Sequence, residues 1–404
     1  MTAEYKNYDH HALNESYDTV FEHWADMLDK CPVGHSDAHG GMWVVTGYEE
    51  QVKIMRDPAV FSSYPASFPS FPQPNKMIPV EIDPPDHQRY RALVAEPFSP
   101  KRAQSYEEPL RKIVNDLIDE FIEDGECDAF ESMAVPLPAL LATVFLGVPL
   151  EDGQRLQQWI HALVHETTSR PEAAIEAVTQ IYTYFGGLFA ERAGSDGDDL
   201  ISIICRAEIE GEKLTQEQLL GFALFLLLAS IDTSQKVIGS MFWRLANDPG
   251  LLAGLAADRD QAGAAVEEFL RLYSPVIGTR KVAQDTEVAG CPIKAGEQML
   301  LLLGAAGRDE RTFPNATEFR LDRANSTKHL AFGHYIHKCL GIHVARVELR
   351  VLLEEWLRRI PEFTPQPGAR AQWSNAQVQG VIKCPIQFPK GQKENVAVWT
   401  GRQL

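Results

Sequence analysis

Hydrophobic side chains recur at helical spacing over long parts of the chain. From about Ile342 to Arg359 they return every three or four positions, and charged residues such as Glu348 fill the positions between them. This periodicity predicts a helix with one face in the core and a charged outer face. Residues 215–245 also follow a helical pattern, but their centre is almost wholly apolar, which predicts a helix that is buried on every side.

Short β-forming stretches separate the helical ones. The stretch from Trp43 to Tyr48 is flanked by glycines, which predicts a small strand before a helix at about 49–56. Stretches around 282–288, 298–303 and 378–388 add a minor β component, whereas residues 110–190 have the pattern of amphipathic helices. The predicted fold class is therefore mainly α with a minor β part, that is, α+β.

A proline-rich segment interrupts this pattern at residues 61–80. Five prolines alternate there with aromatic side chains, which include Phe68 and Phe71. Proline interrupts a helix because it lacks the backbone donor and its ring clashes with the preceding turn. We therefore predict a long loop, which either packs at the surface or contacts a ligand.

Composition narrows the classes of partner and the number of domains. The chain has 38 basic and 56 acidic residues and a net charge of −18, which opposes nucleic acid or anionic membrane as a general partner. Neither a flexible linker nor a repeat divides the 404 residues, so one domain over 1–404 is predicted.

Localisation is predicted from three features of the sequence. The N-terminal residues have neither the basic nor the apolar region of a signal peptide. The longest apolar run, Phe222 to Ala229, is too short to span a bilayer. Six scattered cysteines show no disulfide framework. These features predict a soluble cytoplasmic protein without membrane insertion.

One cysteine stands where its sulfur would be reactive. Cys339 lies at the end of a glycine-containing loop and just before the predicted helix, so free N–H groups and the helix dipole favour its thiolate. Phe332 offers a ring for packing beside a flat ligand, and Gly333 and Gly341 leave room for one. A zinc site at Cys339 is disfavoured because the chain has no Cys-x-x-Cys that could supply further ligands. A nucleophile, a redox sensor, a metal ligand and a buried structural cysteine all remain open.

Two pairs of polar residues are further candidates for chemistry. His87 and Arg91 are four residues apart on one helix face, where they suit a carboxylate or phosphate, or form a solvated face. Asp232 and Thr233 end the apolar centre of the second helix. Buried polar groups need either partners or a function, and a back-bonded threonine beside a hydrogen-bonded aspartate is the structural alternative.

The cysteine loop resembles that of the cytochrome P-450 superfamily. The family pattern F-G-x-G-x-H-x-C-x-G is matched by Phe332, Gly333, His337, Cys339 and Gly341. Tyr335 stands where the family has its second glycine, so its side chain would have to point away from the porphyrin.

Three further motifs carry the same resemblance in the expected order. The pattern D-P-P-x-H-x-x-x-R is matched at residues 83–91, and the pattern A/G-G-x-D/E-T at 229–233, with Ser230 replacing a glycine. Glu268 and Arg271 match E-x-x-R, a spacing that otherwise usually means a surface pair, and Arg323 fits the third place of that brace. The resemblance covers about residues 40–390 and is closest to soluble bacterial members that oxidise camphor and cineole.

The resemblance implies the cytochrome P-450 fold, with a long central helix over haem and small sheets near the N-terminal side. It implies that Cys339 is the axial ligand of haem iron. Residues implied to hold the haem are His87, Arg91, Arg280, His337, Phe332, Gly333 and Gly341. Thr233 and Asp232 would deliver protons to dioxygen, and Glu268, Arg271 and Arg323 would form a structural brace. The implied substrate pocket comprises Phe68, Phe71, Phe225, Leu228, Ala229, Val276, Ile277 and Val378, for each of which plain core packing is the alternative.

The resemblance also implies an activity and its partners. The expected enzyme is a monomeric monooxygenase with haem b that inserts one oxygen atom from O2 into a C–H bond of a monoterpenoid-like substrate. Electrons would come from NAD(P)H through a separate iron–sulfur ferredoxin and its reductase, and Lys338, Arg346 and Arg350 would form a basic patch for the acidic ferredoxin.

Three alternatives stay open at this stage. The substrate is a simple aromatic in the first, in which the enzyme acts as a hydroxylase or O-demethylase. The second is an enzyme that uses peroxide, which Asp232 and Thr233 disfavour. The third is a haem-thiolate gas sensor or ligand-binding protein, which is slightly favoured by the replacement of family glycines by Ser230 and Tyr335.

Overall fold

Helices account for most of the chain in the computed structural model, which describes residues 5–11, 16–167 and 169–395. The α-helices of these residues are Tyr17–Lys30, Tyr48–Arg56, His87–Leu93, Pro100–Ser105, Glu107–Phe121, Pro136–Leu146, Gly153–His165, Pro171–Arg192, Leu200–Arg206, Gln216–Ala246, Pro249–Ala257, Ala262–Leu272, Leu303–Ala306 and Ile342–Arg359. The helix predicted at about 49–56 is present, as is the helix predicted after Cys339.

The helix Gln216–Ala246, called the long helix below, runs through the core. Its start is fixed by a capping box, in which Thr215 and Gln218 exchange side-chain to backbone hydrogen bonds. Phe222, Leu227 and Ile231 are fully buried. This helix has the length and apolar character of a membrane span, but 67% of its apolar window is buried inside the protein. The prediction of a helix buried within the protein is confirmed.

The strands form small sheets beside the helices. Their bounds are Val33–Ser36, Met42–Val45, Phe61–Ser62, Glu126–Asp128, Glu208–Ile209, Glu212–Lys213, Thr286–Val288, Cys291–Ile293, Ile277–Val282, Gln298–Leu302, Thr364–Pro365, Gln372–Ser374, Gly380–Lys383 and Pro385–Gln387. In the largest sheet, three N-terminal strands join Ile277–Val282 and Gln298–Leu302. Met42–Val45 pairs in parallel with Gln298–Leu302. The predicted class, mainly α with a minor β part, is confirmed.

The proline-rich segment is a loop, as predicted, but it is firmly attached to its surroundings. After the short strand Phe61–Ser62 it continues through turns towards the helix His87–Leu93. The Glu81 carboxylate accepts hydrogen bonds from the backbone N–H groups of Ala66, at 2.9 Å, and Met77, at 2.7 Å. These bonds close the loop on itself and fix the approach to the helix that carries His87.

A buried ion cluster organises the segment ahead of the cysteine loop. Arg271 donates to both carboxylate oxygens of Glu268, at 2.7 and 2.8 Å, and Arg323 donates to the same carboxylate at 3.1 Å. Arg271 also donates to the carbonyl oxygens of Gly307 and Ala316. Glu268 and Arg271 are fully buried, so the surface-pair alternative does not apply. The cluster connects the helix Ala262–Leu272 to the chain that leads into the cysteine loop.

Candidate active site

A cavity of about 290 Å³ lies between the long helix and the helix Ile342–Arg359. Its walls bring together residues that are far apart in the sequence, from His87 to Glu348. Every residue that the resemblance assigns to the haem lines this cavity, namely His87, Arg91, Arg280, Phe332, Gly333, His337, Cys339 and Gly341. The predicted cofactor residues are therefore gathered at one place.

The loop before Cys339 is held in a tight turn. The Cys339 N–H donates to the Phe332 carbonyl oxygen at 2.7 Å, and Gly333 adopts a φ of +64°. Tyr335 adopts a φ of +59° although it is not glycine, and 54% of its surface is exposed. The Tyr335 side chain therefore lies largely in solvent, as the replacement of a glycine there required. The guanidinium of Arg346 lies 4.9 Å from the centre of the Phe332 ring.

The protein environment alone does not stabilise the Cys339 thiolate. Burial raises the pKa of the Cys339 thiol, and this effect exceeds the opposing effects of the Gly341 N–H and the charges of Arg91 and Arg346. Desolvation of the sulfur therefore outweighs the backbone donors at the helix N-terminus. A metal cation at the sulfur would reverse this balance.

Two histidines and two arginines that line the cavity make few hydrogen bonds within the protein. Neither ring nitrogen of His87 has a hydrogen-bond partner among the described residues, nor does Nε2 of His337, although His87 is only 1% exposed. Burial lowers the pKa of Arg280 to about 10, and this guanidinium donates to the carbonyl oxygen of Thr279 at 2.6 Å. Arg91 donates to the carbonyl oxygen of Lys338, also at 2.6 Å. Buried donors without acceptors cost free energy, so these side chains suit a ligand with negative oxygens.

On the opposite wall, the hydroxyls of the long helix bond to their own backbone. Thr233 lines the cavity and donates to the carbonyl oxygen of Ala229 at 2.9 Å, and Ser230 donates to that of Leu227 at 3.0 Å. Such bonds compete with the helical ladder and loosen it locally. The back-bonded threonine that was the structural alternative is thus present, in a position that also faces the cavity.

Asp232 points away from the cavity into a buried ion cluster. Its Oδ1 lies 2.8 Å from His165 Nε2 and 2.9 Å from Lys236 Nζ, and its side chain is 2% exposed. Burial raises the pKa of Asp232, but the positive neighbours lower it more, so the net pKa is well below its usual range. The carboxylate is therefore ionised. Lys236 was detectable from the sequence because it follows Asp232 by four residues, whereas His165 comes from another helix.

Comparisons with known proteins agree with this arrangement. The family model for cytochrome P450 matches residues 261–383. The chain is 33% identical to the cytochrome P450 monooxygenase PikC of Streptomyces venezuelae, over 87% of this chain and 86% of that protein. It is 32% identical to the mycinamicin IV hydroxylase/epoxidase of Micromonospora griseorubida, over 86% of this chain and 88% of that protein.

Comparison with solved structures also finds cytochrome P450 proteins. The crystal structure of CYP101J2 matches with a TM-score of 0.85 at 27% identity, covering 96% of this chain and 98% of that one. The chain belongs to the cytochrome P450 family. This P450 is an oxidoreductase of the monooxygenase class, and its family implies haem and dioxygen. The unpaired nitrogens of His87 and His337 and the half-buried guanidinium of Arg280 fit the two propionate carboxylates of a haem.

Glu348 is a polar residue of this P450 that sequence reasoning missed. It is 2% exposed and lines the cavity, where it accepts a hydrogen bond from Ser234 at 2.7 Å. Burial raises its pKa to about 7. The periodicity placed Glu348 on the charged outer face, which is wrong, because the long helix packs over that side of the helix Ile342–Arg359.

Three of the residues predicted for the substrate pocket lie at the cavity wall. Phe225, Ala229 and Val276 line the cavity. The other five predicted residues, Phe68, Phe71, Leu228, Ile277 and Val378, do not belong to its lining, and Phe71, Ile277 and Val378 are buried elsewhere in the core. Phe98, Leu141 and Phe145 line the cavity instead. These three stand outside the recognised motifs, so the sequence offered no signal for them.

The predicted basic patch is largely neutralised. Arg346 donates to both carboxylate oxygens of Glu267, at 2.6 and 2.8 Å. Arg350 pairs with Glu107 at 2.7 Å and with Glu354 at 2.8 Å. The prediction of a patch formed by Lys338, Arg346 and Arg350 is therefore wrong, because acidic residues of neighbouring helices pair with both arginines.

Proposed function

We propose that this P450 inserts one oxygen atom from O2 into a C–H bond of a small hydrophobic molecule. In this proposal residues 1–404 form one catalytic domain, and Cys339 is the axial ligand of haem b iron. The observation that carries it is the meeting of Cys339 with His87, Arg280 and His337 around one apolar cavity. Haem supplies the activation of dioxygen when bound, and a thiolate ligand favours cleavage of the O–O bond.

Holding the haem is the first task of these residues. His87, Arg91, Arg280 and His337 would hold its propionates, and the ring nitrogens of His87 and Nε2 of His337 would gain the acceptors that they lack among the described residues. Phe332 would pack beside the porphyrin, and the glycines at 333 and 341 would allow the close approach of the loop.

Proton transfer is the second task. Thr233 Oγ1 lies at the cavity wall, one residue beyond Asp232, so this hydroxyl would be able to hold and pass on a proton at Oγ1. Asp232 reaches the exterior through His165, whose side chain is 13% exposed. We infer that His165 and Asp232 form the outer part of a proton path and that Thr233, at the cavity wall, forms its inner end.

The substrate follows from the chemistry of the walls. Phe225, Ala229 and Val276 offer apolar surface that excludes water and orients a hydrophobic molecule by shape. A monoterpenoid is our proposal, with hydroxylation or O-demethylation of a simple aromatic as the second candidate. We also propose that the enzyme is a cytoplasmic monomer that receives electrons from NAD(P)H through a ferredoxin reductase and an iron–sulfur ferredoxin.

The assignment of Cys339 is tested by the spectrum of the reduced protein under carbon monoxide. We expect a strongly red-shifted Soret band in the wild type, its loss in Cys339→Ser, and its retention in Cys205→Ser. Cys205 is a matched control because it is a half-buried cysteine outside the cavity. A red-shifted band that survives in Cys339→Ser would refute the assignment.

Substrate class and alternatives are separated by three measurements on the same preparation. Monoterpenoids and simple aromatics are titrated for a shift of the iron from low to high spin, and the best ligands are then incubated with ferredoxin, reductase and NAD(P)H. Product formed with peroxide alone would favour the peroxide-using alternative. A protein that binds ligands but never shows substrate-dependent NAD(P)H consumption would be a sensor instead.

A further inference from the structure

Three potential metal ligands meet on the N-terminal side of the protein, outside the cavity described above. Asp9 and His10 belong to the segment 5–11, and His39 lies in the turn Ala38–Gly40. One ligand atom from each of these side chains lies within 4.8 Å of the other two. The closest pair is His39 Nε2 and Asp9 Oδ1, at 2.8 Å.

His10 is the buried member of this cluster. Its relative exposure is 0%, and within residues 5–11, 16–167 and 169–395 neither ring nitrogen has a hydrogen-bond partner at normal geometry. An imidazole nitrogen with a free lone pair can bind a transition metal.

The backbone around the cluster holds the ligands close together. His39 adopts a left-handed conformation with a φ of +52°, which is costly for a residue other than glycine. The two segments are joined by hydrogen bonds from Ser36 Oγ to the Tyr8 carbonyl, at 2.7 Å, and from the Asp37 N–H to the Lys6 carbonyl, at 3.0 Å. These contacts bring Asp9 and His10 to His39 without any ligand.

We propose that Asp9, His10 and His39 bind one divalent transition-metal cation of the zinc class, with water completing the coordination. Two imidazoles and one carboxylate are ligands that zinc accepts, whereas calcium and magnesium prefer oxygen ligands alone. Tetrahedral zinc with bonds of about 2.0 Å separates its ligand atoms by roughly 3.3 Å. The ligand atoms lie within 4.8 Å of one another, so side-chain rotations would have to close the remaining difference.

Occupancy of the site would connect the N-terminal segment to the proline-rich loop. The ring of His39 meets that of Phe68 at 6.0 Å in an edge-on arrangement. Phe68 is in turn attached to Gln377, whose side-chain oxygen accepts from the Phe68 N–H at 3.4 Å. A metal that fixes His39 would therefore also restrain Phe68 through this ring contact.

The test is a zinc titration of the haem-loaded, full-length chain without a polyhistidine tag. Calorimetry and competition with a chromophoric chelator measure the stoichiometry and the affinity for Zn²⁺, and Mg²⁺ serves as the oxygen-preferring comparison. We expect one zinc per chain in the wild type and no comparable binding of Mg²⁺. Loss of a direct ligand in His39→Ala should weaken binding by about 100-fold or more, because even loss of an indirect partner costs roughly 10- to 100-fold.

His35→Ala is the matched control. His35 lies in the nearby strand Val33–Ser36 and its side chain is 33% exposed, but it does not belong to the cluster. We expect zinc affinity in His35→Ala to equal that of the wild type. His10→Asn, a conservative change, should also abolish binding, and the carbon monoxide spectrum reports whether this variant keeps its haem. If His10→Asn does not fold, the His39→Ala variant still decides the question, because His39 is exposed.

Hydrogen exchange provides a readout that simple surface binding would not change. Zinc should slow exchange in peptides covering 5–11 and 61–80 of the wild type and leave these peptides unaffected in His39→Ala. Absence of stoichiometric zinc in the wild type would overturn the proposal. So would equal affinity in the wild type and His39→Ala, or an equal loss in His39→Ala and His35→Ala.

Discussion

The ion pair of Asp232 and Lys236 gives the most quantitative prediction. Lys236 Nζ lies 2.9 Å from Asp232 Oδ1, and both side chains are 2% exposed. Asp232→Asn removes the negative charge and leaves a buried ammonium, a change that costs roughly 3–5 kcal/mol when no other anion compensates it. We therefore expect Asp232→Asn to lower the free energy of unfolding by about 3–5 kcal/mol.

The assay is urea unfolding at pH 7, followed by tryptophan fluorescence and by haem absorbance. Addition of Lys236→Met to Asp232→Asn removes the uncompensated ammonium, so the double variant should recover most of the lost free energy. Lys213→Met, at an exposed lysine, should change little. An Asp232→Asn variant within about 0.5 kcal/mol of the wild type, or a double variant without recovery, would refute the reasoning.

The pH dependence of the same pair follows from the direction of the pKa shift. The pKa of Asp232 is lower in the folded protein than in the unfolded chain, so the unfolded state binds more protons between these two values. Its contribution to stability is complete above the unfolded pKa of about 4 and is lost as the pH falls below it. Asp232→Asn should therefore show a smaller loss of stability in acid than the wild type.

Three further predictions concern single residues of the site. Glu348→Gln should remove a pH dependence of the free energy of unfolding. A folded pKa of about 7 makes wild-type stability fall as pH rises from about 4.5 to about 7, by roughly 3 kcal/mol. The prediction fails if the free energy of unfolding differs between pH 5 and pH 8 by the same amount in both proteins. Tyr335→Gly should raise the free energy of unfolding by about 0.5–1 kcal/mol, since glycine accepts a φ of +59° without strain; a lower thermal midpoint would argue against strain at this position. Thr233→Ala should reduce the product formed per NAD(P)H consumed by about 10-fold or more, because the proton-donating hydroxyl is lost, while substrate binding is kept. Thr215→Ser, at the distant N-cap, is the control. An unchanged ratio of product to NAD(P)H in Thr233→Ala would exclude this role.

The sequence by itself determined the parts of this P450 that are written locally along the chain. Apolar periodicity is a property of neighbouring residues, so it predicted the long helix and the helix Ile342–Arg359 close to their observed bounds. Proline composition predicted the loop at 61–80 for the same reason. The spacing around Cys339 and the pair His87 and Arg91 identified residues that all line one cavity.

Only the tertiary structure decided which distant side chains meet. Glu348 is buried because the long helix crosses its face, and Arg346 is neutralised because Glu267 arrives from another helix. His165 reaches Asp232 across 67 positions of the sequence. No periodicity encodes such meetings, because they depend on how helices cross and not on spacing within any one of them. The cluster of Asp9, His10 and His39 likewise exists only because the N-terminal segment folds back onto the turn Ala38–Gly40.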